Sequence, residues 1–259
     1  MSPVGSIFSR FDRVILSTAQ GDILDIKNNF ISRLGFKILG IPHIGFRLRA
    51  RKILKNIPKH IDNMLDAGCG SGVYSFILKD KVKNINAVDI SEEKISYLKD
   101  INPFNNIKFE VGDINSLNFS DNKFDFIVCS DVLEHVNSDS KAFSELARVL
   151  KPGGTLLLTI PYDSEYNSTV FKEYYHKTAG YSIKDVEDLC LKNNLNIIKS
   201  EKYYGCLTEK LYRLNYNLIN NKVLLALTFY PLYLFAILSE LFFKHWKSNG
   251  LFFIISVKP

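Results

Sequence analysis

A chain of 259 residues, 46% of them hydrophobic, can bury one domain-sized core with appendages, or at most two small ones. The net charge of +6 belongs to a sequence generally rich in Lys, Asn and Ile, so it does not by itself imply a nucleic-acid partner. Four cysteines, Cys69, Cys129, Cys190 and Cys206, show no C-x-x-C spacing, which argues against a zinc site or a disulfide framework and for a reducing cytosol.

Met1 to Ile7 lack the charged-then-apolar order of a secretion signal, so a cytoplasmic start is expected. Residues 1–60 show no strand alternation and read as short amphipathic helices interrupted by Gly and Pro42, a helical N-terminal extension. Towards its end Arg47, Arg49, Arg51, Lys52, Lys55 and Lys59 interleave with Phe46, Leu48, Ile53, Leu54 and Ile57, giving a helix with one apolar stripe and a cationic remainder. Such a helix either caps a sheet with its charges in solvent or meets anionic lipid head groups or an acidic substrate.

The stretch Asn63-Met64-Leu65-Asp66-Ala67-Gly68-Cys69-Gly70-Ser71-Gly72 follows, a short apolar run ending in an acid and then a glycine-rich turn. Met64 and Leu65 start a buried strand, and Gly68, Gly70 and Gly72 let the backbone turn tightly and approach a ligand. A helix from Val73 to Lys79 points its N-terminus at whatever the turn holds. The glycine pattern is G-x-G-x-G, with Val73 where the third glycine of a dinucleotide turn would fall. Asp66 would repel a phosphate and suits an ammonium group.

A second strand, Asn84 to Ile90, ends at Asp89, which one helix and a return strand bring beside the turn. Its carboxylate can accept hydrogen bonds from both hydroxyls of a ribose. Ser91 to about Ile101 is a helix capped by Ser91 and stopped by Asn102-Pro103. The third strand, Ile107 to Ile114, contains Gly112-Asp113, and the fourth, Phe124 to Ser130, is a near-continuous apolar run suited to a parallel strand covered on both faces. Ser130-Asp131-Val132-Leu133-Glu134-His135-Val136 comes next, then a helix from Ser138 to Leu150 that stops at Lys151-Pro152-Gly153-Gly154, and a fifth strand from Thr155 to Pro161.

These landmarks, in this order and at one strand-helix spacing each over residues 63–161, resemble the class I S-adenosylmethionine-dependent methyltransferases of the small-molecule type, including the ubiquinone-biosynthesis enzymes. The resemblance implies S-adenosylmethionine as cofactor, with Asp66, Gly68, Gly70 and Gly72 forming its turn. Asp89 would hold the ribose with Ile90 beside it, Asp113 the adenine amino group, and the amide of Ile114 an adenine ring nitrogen. Ser130 and Asp131, with the triplet Glu134-His135-Val136, would border the methionine end. The Asn/Asp-Pro-Pro-Tyr signature of enzymes that methylate nucleic-acid amines is absent, which argues against a nucleic-acid substrate. The implied fold is α/β, a Rossmann-like doubly wound seven-stranded sheet of order 3-2-1-4-5-7-6 with strand 7 antiparallel.

Past Pro161 the resemblance thins. Tyr174 to Ser182 is similar to the His-containing loop that closes the acceptor pocket in many of these enzymes, and a helix from Ile183 to Lys192 follows, with Ser182 as its cap and Asp185 in its first turn. Leu195 to Tyr204 is a sixth strand and Gly250 to Pro259 a seventh. The expected division is thus an extension over 1–60, a core over 61–204, a hydrophobic helical insertion over 205–249 and a final core strand over 250–259.

Within the insertion, Val223 to Ser239 carry no charge. The run is short for a membrane span, holds Pro231 and must return to the same sheet, so a helical hairpin is expected instead of a crossing. Tyr230, Tyr233, Trp246, Lys244 and Lys247 suit an interfacial segment, a homodimer contact or packing on the domain's own core, and all three stay open, as does a peripheral position at the inner face of the membrane.

Methyl transfer needs no universal catalytic side chain. Where the acceptor must lose a proton, His135 is the first candidate base and His176 the second, with a structural role for His135 as the alternative. No metal site is expected. The sequence therefore reads as a methyltransferase acting on a small-molecule or lipid-linked acceptor, with oxygen as the expected acceptor atom. A non-catalytic cofactor-binding adaptor of a membrane-associated complex is the alternative, and a nicotinamide-dependent reductase is disfavoured by Val73.

Overall fold

The computed structural model describes residues 44–162, 180–202 and 251–257, together with residue 178 and scattered positions between 207 and 238. Its elements are α1 (Ile44–Lys55), β1 (Ile61–Ala67), α2 (Val73–Leu78), β2 (Val82–Asp89), α3 (Glu92–Ile101), β3 (Ile107–Val111), β4 (Phe124–Ser130), α4 (Asp139–Val149), β5 (Leu150–Pro161), α5 (Ile183–Lys192), β6 (Asn196–Lys202) and β7 (Leu251–Val257). A single turn of 3-10 helix, Leu133–His135, lies between β4 and α4.

All seven strands form one sheet in the order β3-β2-β1-β4-β5-β7-β6, as the resemblance implies. The pairs among β1 to β5 are parallel, and β7 runs antiparallel to both β5 and β6. Parallel strands need cover on both faces, and the burial of β4 over Phe126 to Cys129 meets that demand. One face is filled by Leu48, Ala50 and Ile53 of α1 with side chains of α2 and α3, and the other by Ala142, Phe143 and Leu146 of α4 with Val186 and Leu189 of α5.

The helix starts follow local chemistry. Ser91, Ser138 and Ser182 each accept a first-turn amide, and Ser182 with Asp185 completes a reciprocal capping box. The glycines before β5 behave differently from the simple helix stop expected of them. Leu150 to Pro161 is one continuous strand whose register against β4 shifts between Phe124 and Phe126, with Gly153 at φ +75° in the region where glycine alone is unstrained.

Part of the insertion belongs to the domain's own core. Leu211, Tyr233 and Ala236 are buried in the cluster that holds α1, whereas Leu234, Phe235 and Leu238 are exposed. No helix among the described residues is long and apolar enough to cross a membrane.

Candidate functional site

The glycine turn is wired to β2. The amides of Gly68 and Cys69 donate to the Val88 carbonyl at 2.9 and 2.8 Å, and Gly70 donates to Oδ2 of Asp89 at 2.8 Å. Oδ1 of Asp89 accepts from Ser91 N at 3.0 Å, so each oxygen carries one protein hydrogen bond and retains a lone pair for an outside donor. Two glycines are fixed by what a side chain would strike: a Cβ on Gly68 would lie 2.5 Å from a Val132 methyl, and one on Gly72 2.9 Å from Leu98. A Cβ on Gly70 would meet nothing within 4 Å, which marks the open side of the turn.

Gly72 stands at the N-cap of α2 with no side chain to offer, and Oδ2 of Asp66 fills the vacancy by accepting from Ser75 N at 3.0 Å and Ser75 Oγ at 2.7 Å. The carboxyl is 2% exposed, and burial pushes its pKa up to about 6 against the pull of the two Ser75 bonds, with the charge of Asp89 adding to the rise. Both bonds fall on Oδ2, so Asp66 holds the start of α2 through one oxygen, a structural role beside the ammonium role expected of it.

The sheet order sets the remaining residues in a row across the carboxyl ends of four strands, with Asp113 beyond β3, Asp89 at the end of β2, the turn after β1, and Ser130 and Asp131 at the end of β4. Two strand spacings, about 10 Å, separate the second station from the last. Asp113 accepts from Asn115 N and Nδ2 through Oδ1 alone. Ile90 and Val111, adjoining Asp89 and Asp113, are 74% and 52% exposed, apolar surface set beside acceptors. Ile114 turns its side chain into the core.

At the β4 end a polar cluster assembles that the sequence did not announce. Arg49 of α1 forms an ion pair with Oδ2 of Asp131, whose Oδ1 accepts from Thr159 Oγ1 at 3.1 Å. Ser130 Oγ lies 2.8 Å from Thr159 Oγ1 and 3.2 Å from the Tyr74 hydroxyl on α2. Burial raises the Tyr74 pKa while Arg49 opposes the rise. Asp131 has φ +54°, a left-handed conformation that Asp tolerates better than most residues. Glu134 is 1% exposed, and burial followed by the Asp131 charge pushes its carboxyl well above the usual range.

His135 ends the 3-10 turn beside this cluster and is exposed. The chain after β5 folds back on the same turn: Thr178 N donates to the Glu134 carbonyl at 3.2 Å, and the Tyr181 hydroxyl reaches the Leu133 carbonyl at 3.1 Å and Asp139 at 3.2 Å. His176 lies outside the described residues, as do Tyr230, Lys244, Trp246 and Lys247.

Residues 65–158 match the family described as a methyltransferase domain. The chain is 34% identical over 162 residues to the ubiquinone/menaquinone biosynthesis C-methyltransferase UbiE of Rickettsia prowazekii, covering 57% of this chain and 64% of that protein. To the Rickettsia typhi enzyme of the same description it is 33% identical over 180 residues, covering 64% of this chain and 72% of the relative. The chain belongs to the class I S-adenosylmethionine-dependent methyltransferases.

For this methyltransferase, a solved structure of phosphoethanolamine N-methyltransferase 2 from Haemonchus contortus in complex with S-adenosyl-L-methionine shares the fold, with a TM-score of 0.63 at 23% identity over 96% of this chain and 60% of that one. The residues present fit that cofactor. Open space above Gly70, a carboxylate with two lone pairs at the ribose station, exposed apolar side chains at the adenine station and a polar cluster at the far end match its sequence of ring, sugar and charged amino-acid group. Arg49, Tyr74 and Thr159 carry no signal of this role in the sequence, whereas Glu134 belongs to the triplet expected at the methionine end. Only the run of cations in α1 signalled Arg49, and nothing in that run distinguished it from its neighbours.

Proposed function

We propose that this methyltransferase moves the methyl group of S-adenosylmethionine to a small-molecule or lipid-linked acceptor. The observation that carries the reading is the row of Asp113, Asp89, the glycine turn and Asp131 along one edge of the sheet. When bound, the cofactor supplies a methyl group already activated on a sulfonium, so the protein's work is to hold, align and exclude water. Asp113 and the Ile114 amide hold the adenine, Asp89 the ribose hydroxyls, and Ile90 and Val111 cover the rings with apolar surface.

The acceptor we propose is a hydroxylated compound, methylated at oxygen or at a carbon that the neighbouring hydroxyl makes nucleophilic; either course releases one proton. We assign that proton to His135, a reading its exposed position beside the β4 end supports. The relatives described as C-methyltransferases of ubiquinone and menaquinone biosynthesis support the carbon course and a lipid-soluble acceptor. The exposed Leu234, Phe235 and Leu238, opposite the buried Tyr233 and Ala236, support contact with a lipid surface without crossing it.

The test is incubation of the purified protein with methyl-labelled S-adenosylmethionine and, separately, a membrane lipid extract and a water-soluble metabolite extract. The reading expects label in the lipid fraction that disappears in Asp89→Ala. Label confined to water-soluble products would overturn the lipid-linked acceptor, and cofactor binding with no transfer to either extract would favour the adaptor role.

A further inference from the structure

Two helical segments bury side chains in one cluster on the same face of the sheet and differ in what they turn outward. α1 contributes Leu48, Ala50 and Ile53, and the insertion contributes Tyr233 and Ala236. Residues 231–236 and 238 of the insertion are helical. At about 100° per residue, Leu234, Phe235 and Leu238 share one side of that helix, opposite Tyr233 and Ala236. They are 59%, 52% and 40% exposed. A helix that is apolar on its outer side as well as its inner one belongs in a core or against lipid. α1 is cationic where the insertion is apolar. It holds Arg47, Arg49, Arg51, Lys52 and Lys55 and no acid. Two of these are settled inside the fold, Arg49 on Asp131 and Lys52 on Glu201. Arg51 and Lys55 lie one turn apart on the side away from Ala50 and Ile53, and both are exposed, as is Lys59 just past the helix.

Since both segments cover the same face of the sheet, their outer sides look away from it together. Exposed apolar side chains beside exposed cations complement a bilayer with negative head groups: Leu and Phe enter the acyl boundary while Arg and Lys stay at the phosphates. We propose that the outer sides of α1 and of the insertion dock this chain on an anionic lipid bilayer. This docking rests on the lipid contact proposed above and adds to it the sign of the surface and the element that reads it. A second copy of the chain fits the patch less well. A symmetric contact would bring Arg51 and Lys55 towards their own copies, in a chain whose net charge is already +6. Through Arg49, α1 also reaches the β4 end of the sheet, so the docked helix borders the cofactor edge. That helix lies outside the span of the family match, which covers residues 65–158.

Co-sedimentation of the full chain with two kinds of vesicle tests this, one of phosphatidylcholine alone and one of phosphatidylcholine mixed with phosphatidylglycerol. The wild type should bind the mixed vesicles at least roughly tenfold more tightly at low salt, and the difference should shrink at about 0.5 M salt. The double variant Arg51→Gln, Lys55→Gln should lose roughly 25-fold on the mixed vesicles, at roughly fivefold per cation, and nothing on the neutral ones. Phe235→Ser and Leu234→Ser should each weaken binding to the mixed vesicles about tenfold. All these positions are exposed, so the midpoint of urea unfolding should stay that of the wild type. Equal binding to the two kinds of vesicle, or full binding of the mixed ones by the double variant, would overturn the anionic docking and leave the lipid contact standing. Binding to neither would overturn both. A dimer in sedimentation velocity that Phe235→Ser disperses would assign the patch to a second copy and overturn the docking.

Discussion

Replacing Asp66 by Asn separates the structural work of that carboxyl from its charge. Asn keeps an oxygen that can accept from Ser75 N and Oγ, so the cap on α2 survives, while the ionisation is removed. In the folded chain the Asp66 pKa is raised from 3.8 to about 6. The sign follows from linkage: a carboxyl whose folded pKa lies above its unfolded value supports folding fully below the unfolded pKa and loses that support as pH rises through the folded one. At 1.36 kcal/mol per pKa unit the whole change is ~3 kcal/mol, of which ~2.4 kcal/mol falls between pH 4 and pH 7. Urea unfolding of both proteins at steps across that window measures it. The stability of Asp66→Asn relative to wild type should climb by about that amount, because every other titrating group is common to the two chains. Parallel stability curves would refute the reasoning and show that Asp66 is ionised at no cost.

Gly68→Ala combines left-handed backbone strain with a Cβ set 2.5 Å from Val132, and should cost about 2 to 5 kcal/mol in urea unfolding; Val132→Ala in that background should restore the steric part and leave the strain. Arg148 donates to the Phe119 and Leu117 carbonyls, Asp121 and both oxygens of Glu145, fixing the loop before β4, and Arg148→Lys should lose about 1–2 kcal/mol because a point charge cannot reproduce the fork. Lys52 bonds Glu201 at 2.6 Å, joining α1 to β6, so Lys52→Met should raise hydrogen exchange in α1 while leaving the β1 amides protected.

Elements whose cause is local were legible in the sequence. β4 and α5 have the expected limits, since an unbroken apolar run and a Ser-x-x-Asp cap are written in adjacent residues. The sheet order came from the resemblance of ordered landmarks, not from any single strand. Asp66 is expected to face a ligand ammonium, and its further role at the start of α2 also has a signal in the sequence: α2 starts at a glycine, so its first-turn amides find an acceptor elsewhere. Arg49 could not be found this way. It meets Asp131 through the fold, and helical periodicity says which residues are apolar without saying which cation of the polar face turns back over the sheet. In the insertion, Tyr233 and Ala236 turn inward and Leu234, Phe235 and Leu238 outward. Apolar composition alone does not separate those two faces.

Asp89 is proposed to hold S-adenosylmethionine at the carboxyl edge of this sheet. Calorimetric titration of wild type and Asp89→Ala with S-adenosylhomocysteine tests it without any knowledge of the acceptor. The account predicts micromolar binding that falls at least roughly tenfold in the variant, the loss expected for a charged acceptor serving two hydroxyls. Equal affinity in the two proteins, or no binding by a folded wild type, would contradict it.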